Sequence, residues 1–257
     1  MKISGNKILI TGGASGIGLG LAERFIKEDN TVIVCGRRES ALKEVAGKFP
    51  SVITRVCDLS LATEREELFN WVAENHPDTN VLVNNAGIQQ WMSVADNNFF
   101  QRAKEEITIN IEAPVHLVSL FIRLSSLTTI INVTSGLSFA PLTKVPVYSA
   151  SKAFFHSFTL SLRHLLKEKN IEVIELIPPA LNTDLGGKGL HDFAPPVADF
   201  INKQPTLQIL ALSFLILIGF MLTIEAFHYE VPKSYLYFAV AFSLIVEMIN
   251  MRVRKNT

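Results

Sequence analysis

Tyr148 and Lys152 stand four apart in YSASK (148–152), and Ser135 lies thirteen residues before the tyrosine. On a helix, a spacing of four puts two side chains on one face. A free phenol has a pKa near about 10 and exchanges protons poorly at neutral pH. A neighbouring ammonium favours the phenolate and lowers that value. The pair is therefore suited to general acid–base chemistry. Ser135 ends an apolar run, TIINVT (129–134), that reads as a strand. The carboxyl ends of strands in an open parallel sheet form the binding crevice, where a serine can donate to a carbonyl oxygen beside the tyrosine.

A second group of residues suits phosphate chemistry. KILIT (7–11) runs into TGGASGIG (11–18). Glycine serves where the backbone turns tightly and where it must approach a phosphate without a Cβ in the way. The helix that follows would present free N–H groups and its positive dipole end. An ordinary tight strand–helix turn is the alternative reading. The second strand ends in VIVCGRRES, where Gly36, Arg37 and Arg38 stand at the place an acid would occupy to hold a free ribose 2′-hydroxyl. Two guanidinium groups suit a 2′-phosphate instead, which favours NADP(H) over NAD(H). A solvated basic helix start is the alternative.

These residues need elements to hold them. Strands are expected at 7–11, 31–35, 52–56, 81–85, 129–134 and 171–177, most of them rich in Val and Ile as strands buried on both faces are. Helices are expected near 16–28, 39–48, 60–76, 97–123 and 146–169. The alternation implies an α/β fold with a doubly wound parallel sheet, Rossmann-like and six-stranded. The chain has 257 residues, with 24 basic and 24 acidic side chains. That balance gives no support for nucleic-acid binding. Two cysteines, Cys35 and Cys57, are too few for a disulfide scaffold and read as buried thiols of a reducing compartment. No long apolar run follows the first lysine in MKISGNKILIT, so no secretory signal is expected. His116, His156 and His164 lie on helices without a metal-ligand partner at useful spacing, and no metal is expected. Trp91 and Phe139 follow the crevice motifs and either line a substrate pocket or pack.

TGGASGIG, NNAG (84–87), IINVTS (130–135) and YSASK, in this order, resemble the short-chain dehydrogenase/reductase family over residues 1–200. IPPALNTDLGG (177–187) is similar to the DltE-like group of small bacterial reductases within it. The resemblance implies a cofactor turn made of Thr11, Gly12, Ser15, Gly16, Ile17 and Gly18. It places Asp58 on the adenine amino group, and Asn85, Ala86 and Gly87 along the adenosine ribose and nicotinamide. It makes Tyr148 the proton donor and Ser135 the support of the developing alkoxide. Lys152 would hold the nicotinamide ribose and lower the tyrosine pKa, Asn110 would keep a relay water, and Thr183 would contact the carboxamide. The implied substrate is a small carbonyl or alcohol. A homodimer through the helices at 97–123 and 146–169 is a further expectation.

The family normally continues with one more helix and a seventh strand. Here PPVADFINKQP (195–205) leads instead into QILALSFLILIGFMLTI (208–224), which holds no charged side chain. A membrane-spanning helix needs about 20 mainly apolar residues. Residues 206–224 and about 232–251 fit two antiparallel spans, with Lys203 before the first and Arg252, Arg254 and Lys255 after the second. Both outer ends then lie on the cytoplasmic side. Residues 204–254 resemble the last two transmembrane helices of the TerC family. The expected location is the cytoplasmic membrane, with the enzyme domain facing the cytoplasm; a soluble two-helix cap, leaving a cytoplasmic protein, is the alternative. A non-catalytic dinucleotide-binding protein or an inert fusion is the competing reading of the whole chain.

Overall fold

The computed structural model describes residues 1–179 and Leu185. Six parallel strands form one sheet: β1 (Lys7–Thr11), β2 (Thr31–Gly36), β3 (Ile53–Val56), β4 (Val81–Asn84), β5 (Thr129–Val133) and β6 (Glu172–Leu176). Their order is β3-β2-β1-β4-β5-β6. The order reverses direction between β1 and β4, which pair at Ile8–Val81, Leu9–Leu82 and Ile10–Val83. In such sheets the ligand crevice lies beyond the carboxyl ends of the strands, at this switch point.

The helices are α1 (Gly16–Lys27), α2 (Glu39–Lys48), α3 (Ala62–Asn75), α4 (Phe99–Ile107), α5 (Ala113–Phe121) and α6 (Pro146–Leu165). A π-helical turn, Thr108–Glu112, joins α4 to α5. The expected single helix at 97–123 is thus one continuous rod with a π segment in its middle, a feature frequent at functional sites. Periodicity of apolar residues does not announce such a turn. A short 3₁₀ turn, Gly136–Ser138, follows Ser135 and was also not expected.

Both sheet faces are covered. Leu9, Ile33, Leu82 and Ile130 pack with α3 and α5 residues such as Phe69, Leu117 and Phe121 on one side. Ile8, Ile10, Val32, Val34, Val81 and Val83 pack with Ala22, Leu42 and Val45 on the other. This double burial explains why β1, β2 and β4 are continuous apolar runs. Cys35 and Cys57 are buried free thiols, as their positions led us to expect. Burial raises both thiol pKa values, that of Cys57 to about 12, so neither supplies a thiolate. Among the described residues β6 pairs only with β5, and no helix there is long and apolar enough to cross a membrane. The spans expected at 206–224 and 232–251, and Thr183, lie outside the described residues.

The chain divides into two compact units, residues 1–190 and 191–257.

Candidate active site

A crevice of about 470 Å³ opens at the carboxyl ends of the strands. One wall is the turn between β1 and α1. Gly12 and Gly16 adopt positive φ of 65° and 53° there. A Cβ on Gly18 would come within 2.4 Å of the Gly12 carbonyl oxygen and 2.5 Å of Asn85 Nδ2, so only glycine lets the helix sit this close to the turn. Gly12, Ser15, Gly16 and Ile17 line the crevice, whereas Gly18 lies behind them as the packing contact. The first turn of α1 carries no acidic residue, and the Ser15 side chain makes no capping hydrogen bond. Its N–H groups stay available to an anion, which fits a phosphate.

Arg37, Arg38 and Asp58 line the far end of the crevice. The Arg38 guanidinium donates to Ser15 Oγ at 3.4 Å, tying the second strand's end to the glycine turn. Asp58 lies two residues beyond β3 rather than on its end, where its carboxylate accepts from the Ser60 amide at 2.9 Å.

Thr11 does not line the crevice. Its hydroxyl accepts from the Asn85 and Ala86 amides at 3.0 Å each and donates to the Val83 carbonyl. Asn85 in turn donates through Nδ2 to the Thr11 carbonyl at 2.9 Å. Thr11 therefore acts by shaping the Asn85–Gly87 segment, which does line the crevice. Asn110 is likewise a holder. Its Oδ1 accepts from the Ile88 amide at 2.9 Å, and its Nδ2 donates to the Ile88 carbonyl at 2.8 Å and to Ser151 Oγ at 3.1 Å. The side chain is 1% exposed, and both hydrogens of its amide go to protein partners.

Tyr148 and Lys152 lie on one face of α6 and line the crevice, as their spacing predicts. Ser135 caps the 3₁₀ turn after β5 by accepting from the Leu137 amide; it does not line the crevice itself but is near enough to the Tyr148 phenol to favour its ionised form. An amide ladder fixes α6 against the strand ends: Asn84 donates to Asn132 across β4 and β5, and Asn132 donates to Thr159 on α6, both at 2.9 Å.

The acid–base balance departs from the sequence reading. The phenol was expected to be lowered by the ammonium. Burial instead pushes Tyr148 up to about 12, the Ser135 hydroxyl opposes this, and the Glu106 carboxylate adds to it. The lysine is itself weakened, because burial lowers Lys152 to about 8. Its ammonium lies 5.7 Å from the tyrosine ring centroid and donates to the Val133 carbonyl at 2.9 Å. Desolvation of both groups thus outweighs their mutual electrostatics.

Several lining positions have no sequence signal of their own. Ile88, Gln89 and Thr134 line the crevice, brought there by the elements before them. Trp91 and Phe139 do not line it. Phe139 packs edge-on against His156, and the Lys144 ammonium sits 5.8 Å from the Trp91 ring. His156 pairs with Glu175 at 2.9 Å, and His116 accepts from Arg65 at 3.1 Å.

Known proteins with this arrangement agree with it. The Uncharacterized oxidoreductase DltE of Bacillus subtilis is 44% identical over 198 residues, covering 73% of this chain and 76% of that protein. A crystal structure of 3-ketoacyl-(acyl-carrier-protein) reductase from Brucella melitensis, complexed with NADH, superposes with a TM-score of 0.69 at 25% identity, covering 74% of this chain and 81% of that one. A short chain dehydrogenase from Burkholderia cenocepacia in complex with NADP gives a TM-score of 0.65 at 25% identity, covering 76% and 79%. The C-terminal part matches differently. The Integral membrane protein TerC family matches residues 187–257. A UPF0053 protein of Haemophilus influenzae is 52% identical over 62 residues, which is 24% of this chain but only 26% of that protein. The short chain dehydrogenase family matches residues 6–192. The glycine turn, the Ser135–Tyr148–Lys152 cluster and this match agree: the chain belongs to the short-chain dehydrogenase family, and carries a TerC-family segment joined behind that domain.

Proposed function

We propose that residues 1–200 form an NADP(H)-dependent oxidoreductase that moves hydride to or from a small carbonyl or alcohol, and that residues 204–254 tether it to the cytoplasmic membrane as a two-helix hairpin. The observation that carries the first part is the meeting of Tyr148 and Lys152 in one crevice with an uncapped, acid-free helix start, with Ser135 next to the phenol. When bound, the dinucleotide supplies or accepts the hydride. Gly12, Ser15, Gly16 and Ile17 would hold its phosphates, Asp58 its adenine, and Asn85, Ala86 and Gly87 the ribose and nicotinamide side, with Thr183 at the carboxamide. Arg37 and Arg38 supply two cations where a 2′-phosphate would lie, which supports NADP(H) over NAD(H).

The protein's own groups handle the proton. In the reducing direction the neutral Tyr148 phenol gives its proton to the substrate oxygen, while the Ser135 hydroxyl donates to that oxygen and steadies its negative charge. A high phenol pKa suits this direction, because the group stays protonated at neutral pH. Lys152 remains mostly charged at pH 7 with a pKa of about 8; it would hold the nicotinamide ribose and favour the phenolate left after transfer. Asn110 serves by holding Ile88 and Ser151.

The test is NADPH oxidation by detergent-purified full-length protein across a panel of aldehydes, ketones and diketones. Turnover of any of them above the background rate supports the reading. Tight NADPH binding without turnover on the whole panel would favour a non-catalytic dinucleotide-binding protein instead.

A further inference from the structure

Glu106 is the one fully buried carboxylate in the described residues, with 0% exposure, and the chemistry above does not use it. It lies on α4, one turn before Asn110, and shares a helix face with Arg102 and Asn110. Together these three grip residues 88–91, the segment whose first two residues, Ile88 and Gln89, line the crevice. Asn110 takes both backbone groups of Ile88. Glu106 Oε1 accepts from the Gln90 amide. Arg102 donates to Gln90 Oε1 at 2.9 Å and to the Trp91 carbonyl. The second carboxylate oxygen, Oε2, is buried with no hydrogen-bond partner among the described residues. A buried carboxylate oxygen left unpaired is costly when charged.

Glu106 and Tyr148 lie on helices that pack against each other, and the carboxylate is near enough to act electrostatically on the phenol. The α4–α5 rod and α6 each return the chain to the start of a parallel strand, so both run in the same direction. They touch where Asn110 Nδ2 meets Ser151 Oγ at 3.1 Å, and Ser151 Oγ donates on to the Tyr148 carbonyl at 2.8 Å. One turn back on each helix lie Glu106 and Tyr148.

We propose that Glu106 is a positioning residue of the active site: its Oε1 holds the segment behind Ile88 and Gln89 through the Gln90 amide, and its unpaired Oε2 presents a carboxylate that acts on the reaction through Tyr148. The proposal rests on the reading of Tyr148 as the proton donor. Burial raises Glu106 to about 7, opposed by the Gln90 amide and the Arg102 guanidinium, so it changes charge near neutrality. The groups facing the pair are Arg102 on α4, the Gln90 amide just behind the crevice wall, and Lys152 and Ser135 around the phenol. A charged Glu106 opposes ionisation of the phenol and keeps it a proton donor to higher pH.

The test uses the full-length protein in detergent, compared with Glu106→Gln and Tyr148→Phe. Gln keeps an acceptor for the Gln90 amide and removes the charge. Tyrosine ionisation is followed by ultraviolet difference titration, with Tyr148 assigned by subtracting the Tyr148→Phe curve. Tyr148 is expected to ionise at lower pH in Glu106→Gln, and its reductase activity to decline at correspondingly lower pH. An unmoved or upward-shifted Tyr148 titration overturns the proposal. Glutamate carboxyl carbons of the unmutated protein, followed by nuclear magnetic resonance, give a second measurement should the variant not fold. One should titrate near neutrality; if every glutamate titrates in the ordinary acidic range, the proposal is wrong. Neither titration needs turnover, so a chain that reduces no carbonyl would defeat the proposed reaction while leaving this result legible.

Discussion

Tyr148 and Lys152 show how a site is made from groups that burial works against. Replacing Tyr148 by Phe removes the proposed proton donor and leaves the packing of the ring. Turnover should fall by about 10²–10⁴-fold, the usual contribution of general acid–base catalysis, while NADPH affinity in a direct titration stays within a few-fold. Lys152 carries a stability cost. Its folded pKa is about 8 against 10.5 when unperturbed. Between those values the unfolded chain holds a proton that the folded one has released, so stability rises with pH through this window. Near neutrality the penalty is on the order of 3 kcal/mol. Lys152→Met should therefore abolish activity yet raise the melting temperature at pH 7, with the gain shrinking as the pH approaches 10.

At the scale of elements, the proposed preference for NADP(H) rests on the ends of β1 and β2. Gly18 allows α1 to sit against the Gly12 carbonyl, and Arg37 and Arg38 flank the same crevice. A charge-assisted hydrogen bond contributes roughly 1.5–3 kcal/mol, so Arg37→Ala or Arg38→Ala should weaken NADPH binding by about ten- to a hundredfold and leave NADH binding nearly unchanged. Paired titrations of both cofactors measure this; equal losses for the two would mean that neither arginine meets a 2′-phosphate. The π turn at Thr108–Glu112 matters in the same way, because it carries Asn110 to Ile88 and Ser151 at once.

For the whole molecule, the chain joins a short-chain dehydrogenase domain to a TerC-family segment. The uncharged run from 208 to 224 and the basic residues after 251 lead to a concrete expectation. Full-length protein should resist carbonate extraction from membranes, and protease added to the cytoplasmic side should reach residues 1–200. Recovery as a folded monomer in the carbonate supernatant would make the tail a soluble cap. In the described sheet β6 is an edge strand, paired on one side only, and bare edges aggregate. The isolated 1–200 fragment is therefore expected to be poorly soluble, measured as the soluble fraction after expression beside the full chain.

What the amino-acid sequence determines by itself is whatever depends on local spacing or local backbone. Doubly buried strands read as Val and Ile runs, so all six strands agree with expectation to within about a residue at each end. The glycine turn is legible because close backbone approach excludes every other residue type, and Tyr148 and Lys152 are legible because four residues make a helical turn. Only the tertiary structure decides which of those residues face the crevice and which stand behind it. Thr11, Gly18 and Asn110 belong to the motifs, yet they act by holding Ala86, Gly12 and Ile88. It also decides the sign of the tyrosine's pKa shift. Spacing shows that an ammonium is near, but desolvation depends on everything packed around the phenol, including a carboxylate 42 residues earlier in the chain whose burial no local pattern announces.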